Sequence, residues 1–194
     1  MTERDKARGC EWNAFVTDPI STEMSEECIC NEYGDLPLEM TAIEQREKAY
    51  SRMRPKLRQL SQKVIERWYE HYRLYKCDVC GQYWQSSISP GIEEGWYLFK
   101  VPKISVKAWK EQPYVAPGFI VQFLEQQKEY LSKKFETQEK TCNEVGCDAR
   151  AMTGALKCQY HQFVQLSRHG TMRESPSGRW FSPYQPDLLK PKLP

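Results

Sequence analysis

Cys142-x4-Cys147-x10-Cys158-x2-His161 carries the strongest chemistry in the chain: four metal-ligating side chains within residues 142–161. Thiolate and imidazole are the ligands a structural zinc ion takes, four at a time in a tetrahedron. Two sulfurs from one short loop reach the same ion only where the backbone turns tightly. In Cys142-Asn-Glu-Val-Gly146-Cys147, Gly146 supplies that freedom. Cys158 and His161 are three residues apart, so on a helix they share a face of its first turn. The partial positive charge of that turn favours a thiolate. The set predicts one bound Zn2+.

A second half-set lies upstream in Cys77-Asp78-Val79-Cys80-Gly81, again shaped for a knuckle, with Gly81 letting the chain curl under the sulfurs. It has three possible completions. It shares an ion with Cys142 and Cys147, it recruits Cys28 and Cys30, or it stays metal-free. The downstream set is already complete, which favours two sites, or one site and a free pair. Cys28 and Cys30 lead as partners, because four thiolates are the commonest structural complement. The candidate metal ligands are therefore Cys77, Cys80, Cys142, Cys147, Cys158 and His161, around one or two structural zinc ions. A redox role for Cys77-x2-Cys80 would need the first Cys at a helix start. Gly81-Gln82-Tyr83-Trp84 reads instead as a turn into a strand.

The elements that must position these ligands give an α+β protein in five sections. Residues 1–38 form an acidic, irregular arm with turn signals at Asp18-Pro19, Gly34-Asp35 and Leu36-Pro37. Residues 39–74 form a helical section. Its first helix has Met40, Ile43, Glu47, Ala49 and Tyr50 in repeat, with Thr41 and Glu44 as a capping box. Pro55 breaks or restarts it. Leu57, Leu60, Val64, Trp68 and Tyr72 then predict one face of an amphipathic helix, with Lys56, Arg58, Lys63, Arg67 and Arg73 on its other faces. Residues 75–136 hold the knuckle, strands at Tyr83-Trp84 and Trp96–Phe99, a turn at Ser89-Pro90-Gly91, and a further strand at Ile104–Ala108. A helix from Pro117-Gly118 through Phe135 follows. Residues 137–172 are the zinc module, with a hairpin over Asp148–Lys157 turning at Thr153-Gly154. Residues 173–194 are a Pro-rich extended tail, held by Trp180, Phe181 and Tyr184.

Composition restricts the functional classes. At 194 residues the chain suits one ordinary domain or two small ones. The net charge of +2 is too small to argue for nucleic acid by itself. Residues 1–40 carry three Lys/Arg against ten Asp/Glu, whereas residues 41–76 carry ten against four. That contrast predicts docking of the acidic segment on the basic one, or two opposite patches for two partners. No apolar run reaches signal-peptide or membrane-spanning length, which predicts a cytoplasmic protein without a membrane role. In a reducing compartment eight cysteines are better explained by metal than by disulfides.

Knuckle, hairpin and helix with paired ligands resemble the treble-clef zinc fold. Members of that fold that act as nucleases need a general-base His in the hairpin, and Asp148–Lys157 contains none. His71 and His169 are the remaining histidines. His169 precedes Gly170 at a helix end, where a cation is favourable. No phosphate loop, nucleophile elbow or paired carboxylate stands out. The expectation is no catalysis. Tyr75-Lys-Cys77-x2-Cys80-Gly-Gln-Tyr83-Trp84, Trp96-Tyr-Leu-Phe-Lys100-Val-Pro102 and Trp109, followed by the Cys/His module, resemble small bacterial immunity-type proteins that accompany secreted toxins. That resemblance implies a cytosolic inhibitor binding a toxin domain. An acidic segment such as 18–39 would suit a basic nuclease toxin. The alternative is a zinc-finger nucleic-acid-binding protein, supported by the basic 52–73 segment and exposed-type aromatics.

Overall fold

In the computed structural model, residues 28–65, 70–89 and 95–190 are described. The acidic arm therefore lies outside the described residues up to position 27, as do the Pro90-Gly91 turn and Trp68.

Helix α1 spans Met40–Met53 and ends where Pro55 enters a short 3-10 turn, Arg54–Lys56. It starts two residues earlier than a Thr41 cap would place it. Glu39 occupies the N-cap position with no side-chain cap hydrogen bond. Strands β1 (Arg58–Ile65), β2 (Glu70–Lys76), β3 (Tyr83–Ile88) and β4 (Trp96–Val101) form an antiparallel sheet in sequence order. The amphipathic helix expected from Leu57 to Tyr72 is thus a strand pair. Tyr72 and Leu74 are buried and alternate with half-buried His71 and Arg73, which is strand period two. Val64, inside the expected helical stripe, is exposed. The stripe arose because apolar residues of two strands fell at helical intervals, and a bulge at Leu60 shifts the ladder between Gln59 and Ser61.

Both faces of the sheet are covered, which is why β3 is buried on successive residues. On one face Leu74, Tyr97, Phe99 and Val101 pack with Trp109, Tyr114, Ile120, Phe181 and Tyr184. On the other, Tyr75, Trp84 and Leu98 pack with Ile29, Cys30, Met53, Leu57 and Cys77. Helix α2 (Val106–Glu111) replaces the strand expected at Ile104–Ala108. Ser105 forces the change by accepting a hydrogen bond from the Ala108 amide as an N-cap. Helix α3 (Pro117–Ser132) opens as expected with Pro117 at its first position but stops short of Phe135, where the chain is already extended from Lys133. The Gly118 N–H donates to the Tyr97 hydroxyl, giving one orphan donor of the helix start a partner.

The first core is tied by polar contacts. Gln85 is fully buried; its carbonyl oxygen accepts from Trp109 Nε1 at 2.7 Å and from the Tyr114 amide at 3.1 Å. Its amide donates to the Tyr114 carbonyl at 2.8 Å. The tail is held as predicted by Phe181 and Tyr184, which are buried, with half-buried Trp180 packed beside them. Gly178 permits the approach: at φ +144 any Cβ would meet the backbone of Pro113 and Val115 at 3.0–3.1 Å. The Tyr184 hydroxyl accepts from the Leu36 N–H at 3.0 Å and donates to the Leu36 carbonyl at 2.6 Å.

Replacing Gln85 by Leu strands three buried polar groups and should lower unfolding free energy by about 2–5 kcal/mol in urea melts. Burial pushes Tyr184 up to about 12. Because that is above its unfolded value of about 10, its neutral form stabilises the fold fully below pH ~10. That contribution disappears as the pH rises toward 12. Tyr184→Phe should therefore be less stable at neutral pH and flatter in stability between pH 10 and 12.

Candidate metal centres

The knuckle Cys77–Cys80 is the turn of the β2–β3 hairpin. Lys76 ends one strand and Tyr83 begins the next, paired directly with Lys76. Gly81 has φ +77 and donates to the Cys77 carbonyl, while the Cys77 amide bonds the Gln82 carbonyl. This is the curl that the glycine predicted. Cys28 and Cys30 arrive on the segment before α1. Together Cys28, Cys30, Cys77 and Cys80 place one sulfur each within 4.8 Å of all the others. Cys28 Sγ and Cys77 Sγ are 3.8 Å apart. A disulfide would bring sulfurs to about 2.05 Å. Two sulfurs bound at about 2.3 Å to a tetrahedral ion stand about 3.8 Å apart. The donor set and spacing fit a shared metal ion.

The second group gathers Cys142, Cys147, Cys158 and His161 under the same 4.8 Å limit. Cys147 Sγ and Cys158 Sγ are 3.8 Å apart, and His161 turns Nδ1 toward Cys142 and Cys158 at 3.3 Å each. Here too a knuckle closes a hairpin: β5 (Thr137–Thr141) pairs with β6 (Arg150–Met152) around residues 142–147. Gly146 has φ +77. The hairpin expected within Asp148–Lys157 is only half present. Thr153-Gly154 do turn, and the Met152 amide bonds the Lys157 carbonyl, but the strand ladder runs back to β5. Cys158 caps helix α4 (Gln159–Arg168), so its pair with His161 sits on the first turn as predicted. Lys157 forms an ion pair with Glu144, tying the knuckle to the approach of α4.

The two groups do not merge. Each sulfur predicted as a ligand finds four-membered company, and the sharing of one ion between Cys77/Cys80 and Cys142/Cys147 is excluded by the two separate sets.

Electrostatics around the sulfurs follow from local amides and burial. The Cys30 amide bonds the Cys28 sulfur and, with the Cys80 side chain, lowers that thiol below its ordinary value. Burial pushes Cys30 up. Partial desolvation of the sulfur by its neighbours raises Cys80, against the Gln82 amide, although the residue as a whole is exposed. In the second group burial opposes ionisation of Cys142, but hydrogen bonds from the Cys158 amide and His161 outweigh it and hold the thiol low. Cys158 is raised by burial.

Sequence reasoning missed the residues behind the ligands. Trp84 is fully buried and its indole N–H donates to Cys30 Sγ at 3.2 Å. Lys100 Nζ lies 5.7 Å from the Trp84 ring and the Arg46 guanidinium 5.9 Å from it. Arg46 is itself buried, donating to the Leu98 and Gly34 carbonyls. Gln159 donates to the Tyr130 and Lys133 carbonyls, capping the end of α3 with the first residue of α4. Phe123, Tyr130 and Phe163 pack behind it. The one available signal was a Trp four residues beyond a Cys pair.

His71 stacks edge-on to Trp96 at 6.2 Å, and His169 is the C-cap of α4 before Gly170 at φ +71. Among the described residues no helix is long and apolar enough to cross a membrane. No protein-family model, curated protein or solved structure matches the chain.

Trp84→Phe removes the donor to Cys30 and keeps an aromatic ring in the core, but leaves a cavity where the indole's second ring stood. Metal affinity at the first group should fall about 10- to 100-fold in chelator competition, as outer-shell losses do, with the second group unaffected. Equal affinities in both proteins would assign Trp84 to packing alone.

Proposed function

We propose that the chain is a non-enzymatic binding protein stapled by two structural zinc ions, and that its specific form is a cytosolic immunity protein that binds and inhibits a cognate toxin. The observation that carries the metal reading is that both clusters bring four soft ligands to one point. A catalytic zinc keeps a position open, whereas four thiolate or imidazole ligands close the shell. The residues that would hold the ions are Cys28, Cys30, Cys77 and Cys80, and Cys142, Cys147, Cys158 and His161. When bound, the ions supply cross-links and charge compensation, with no reaction step. The order knuckle, strand and helix supports a treble-clef-like reading of the second module.

Protein binding is supported by the knuckle tips. Val79 and Leu156 are exposed and Val145 fully so, on turns that bound metal would make rigid. The nucleic-acid alternative has thinner support. Trp84, Tyr97, Phe99 and Trp109, which belong to the segments behind the immunity-type resemblance, are core residues and give neither reading a recognition surface. The basic segment is a strand pair whose Lys63 bonds the carbonyls of Lys110 and Glu111.

Elemental analysis of purified protein should give two zinc ions per chain. Structural zinc in small modules is worth on the order of 10 kcal/mol, so exhaustive chelation should abolish the cooperative melt. A melt unchanged by chelation contradicts the staple. Co-expression with a toxin encoded beside its gene should restore growth, and calorimetry should detect the complex. Tight binding to DNA or RNA with a steep salt dependence, and no protection, would favour the nucleic-acid reading.

A further inference from the structure

The two centres differ in how their sulfurs meet solvent. In the first, Cys30 and Cys77 are 2% and 3% exposed, whereas Cys80 is exposed and Cys28 half-buried. In the second, Cys142 and Cys158 are each 6% exposed, Cys147 is half-buried, and the fourth ligand is an imidazole that peroxide does not convert to a disulfide. A metal ligand sulfur is held as a thiolate by its ion, so among the four sulfurs of a centre access decides which is oxidised first. Cys30 is further shielded by the Trp84 N–H, which occupies a sulfur lone pair. Cys80 stands at the tip of a hairpin beside exposed Asp78 and Val79, with no side chain packed over it among the described cores. Cys28 Sγ lies within 4.8 Å of it.

We infer that Cys80 is the peroxide-reactive sulfur of the first centre and Cys28 the thiol that resolves it, so that oxidation joins the two and empties that centre while the second keeps its ion. This rests on the zinc reading above. The Cys80 thiolate attacks one oxygen of hydrogen peroxide and the O–O bond breaks. Cys80 becomes a sulfenic acid, and the departing hydroxide takes a proton to form water. The Cys28 thiolate then attacks the Cys80 sulfur, the S–O bond breaks, and a second hydroxide leaves and is protonated. Two thiolates have given two electrons to one peroxide, forming one disulfide and two waters. Only Cys30 and Cys77 remain as ligands, too few to hold the ion.

The test uses the full chain loaded with zinc, with hydrogen peroxide as oxidant and a chromogenic chelator reporting released metal. The expected result is release of one of two zinc equivalents, with peptide mapping showing a Cys28–Cys80 disulfide and intact Cys142, Cys147 and Cys158. Cys80→His keeps a ligand but removes the reactive thiolate, and should abolish that release. Cys28→His should leave Cys80 as a sulfenic acid that dimedone traps. Mapping the unaltered protein keeps the inference testable should either variant fold poorly. Release of both ions together, first oxidation at Cys147, or a disulfide between other cysteines overturns it. Two ions retained throughout overturn this inference alone, whereas a protein purified without zinc overturns the metal reading as well.

Discussion

Four sulfurs within 4.8 Å of one another are the constraint on which the rest of the structure depends. Ionised, they repel; buried and protonated, they leave weak donors with nowhere to point. A cation at the centre would remove the conflict, and backbone and indole N–H groups already ease it. The Cys30 amide serves Cys28, the Gln82 amide serves Cys80 and Trp84 serves Cys30. Meeting those demands fixes the β2–β3 turn and the segment before α1 in one place. That placement in turn directs α1 across the sheet, where the Arg46 guanidinium reaches the Leu98 carbonyl.

Strand β3 relates the centre to the core. Successive side chains on a strand point to opposite faces. Trp84 therefore reaches the sulfur cluster on one side, while Gln85 clamps Trp109 and Tyr114 on the other. Neither face can repack without moving the backbone that serves its opposite. The second centre is arranged more locally. Its ligands come from one hairpin turn and one helix start, and it joins the body through Gln159 on the end of α3 and the rings of Phe123, Tyr130 and Phe163.

The second centre was readable from sequence because its four ligands fall within residues 142–161 and their glycine sits where the backbone must turn. The first was readable only as half-sets, since residues 31–76 separate the pairs and the chain's course between them is a tertiary matter. Strands β3 and β4 and helix α3 announce themselves by aromatic density and by Pro117 at a helix start. The β1–β2 pair did not, because spacing alone cannot distinguish one helix stripe from the apolar residues of two successive strands. Trp84, Gln85 and Arg46 lie beyond such reading: their roles depend on which polar groups other segments leave unpaired. Most aromatics of 83–109 gave the converse difficulty: Trp84, Tyr97, Phe99 and Trp109 look like a recognition surface in sequence but form the interior.

The reciprocal pair between Tyr184 and Leu36 has a consequence for the order of assembly. A segment that supplies Phe181 and Tyr184 to the core is not an appendage to a finished domain but its closing piece. Until residue 184 has left the ribosome, Phe99 and Tyr114 lack the rings of Phe181 and Tyr184, and Leu36 offers an unanswered amide and carbonyl. Folding during synthesis can complete the first sulfur cluster early, but this face of the sheet waits, from the emergence of β4 to that of Tyr184, for the rings that finish its cover.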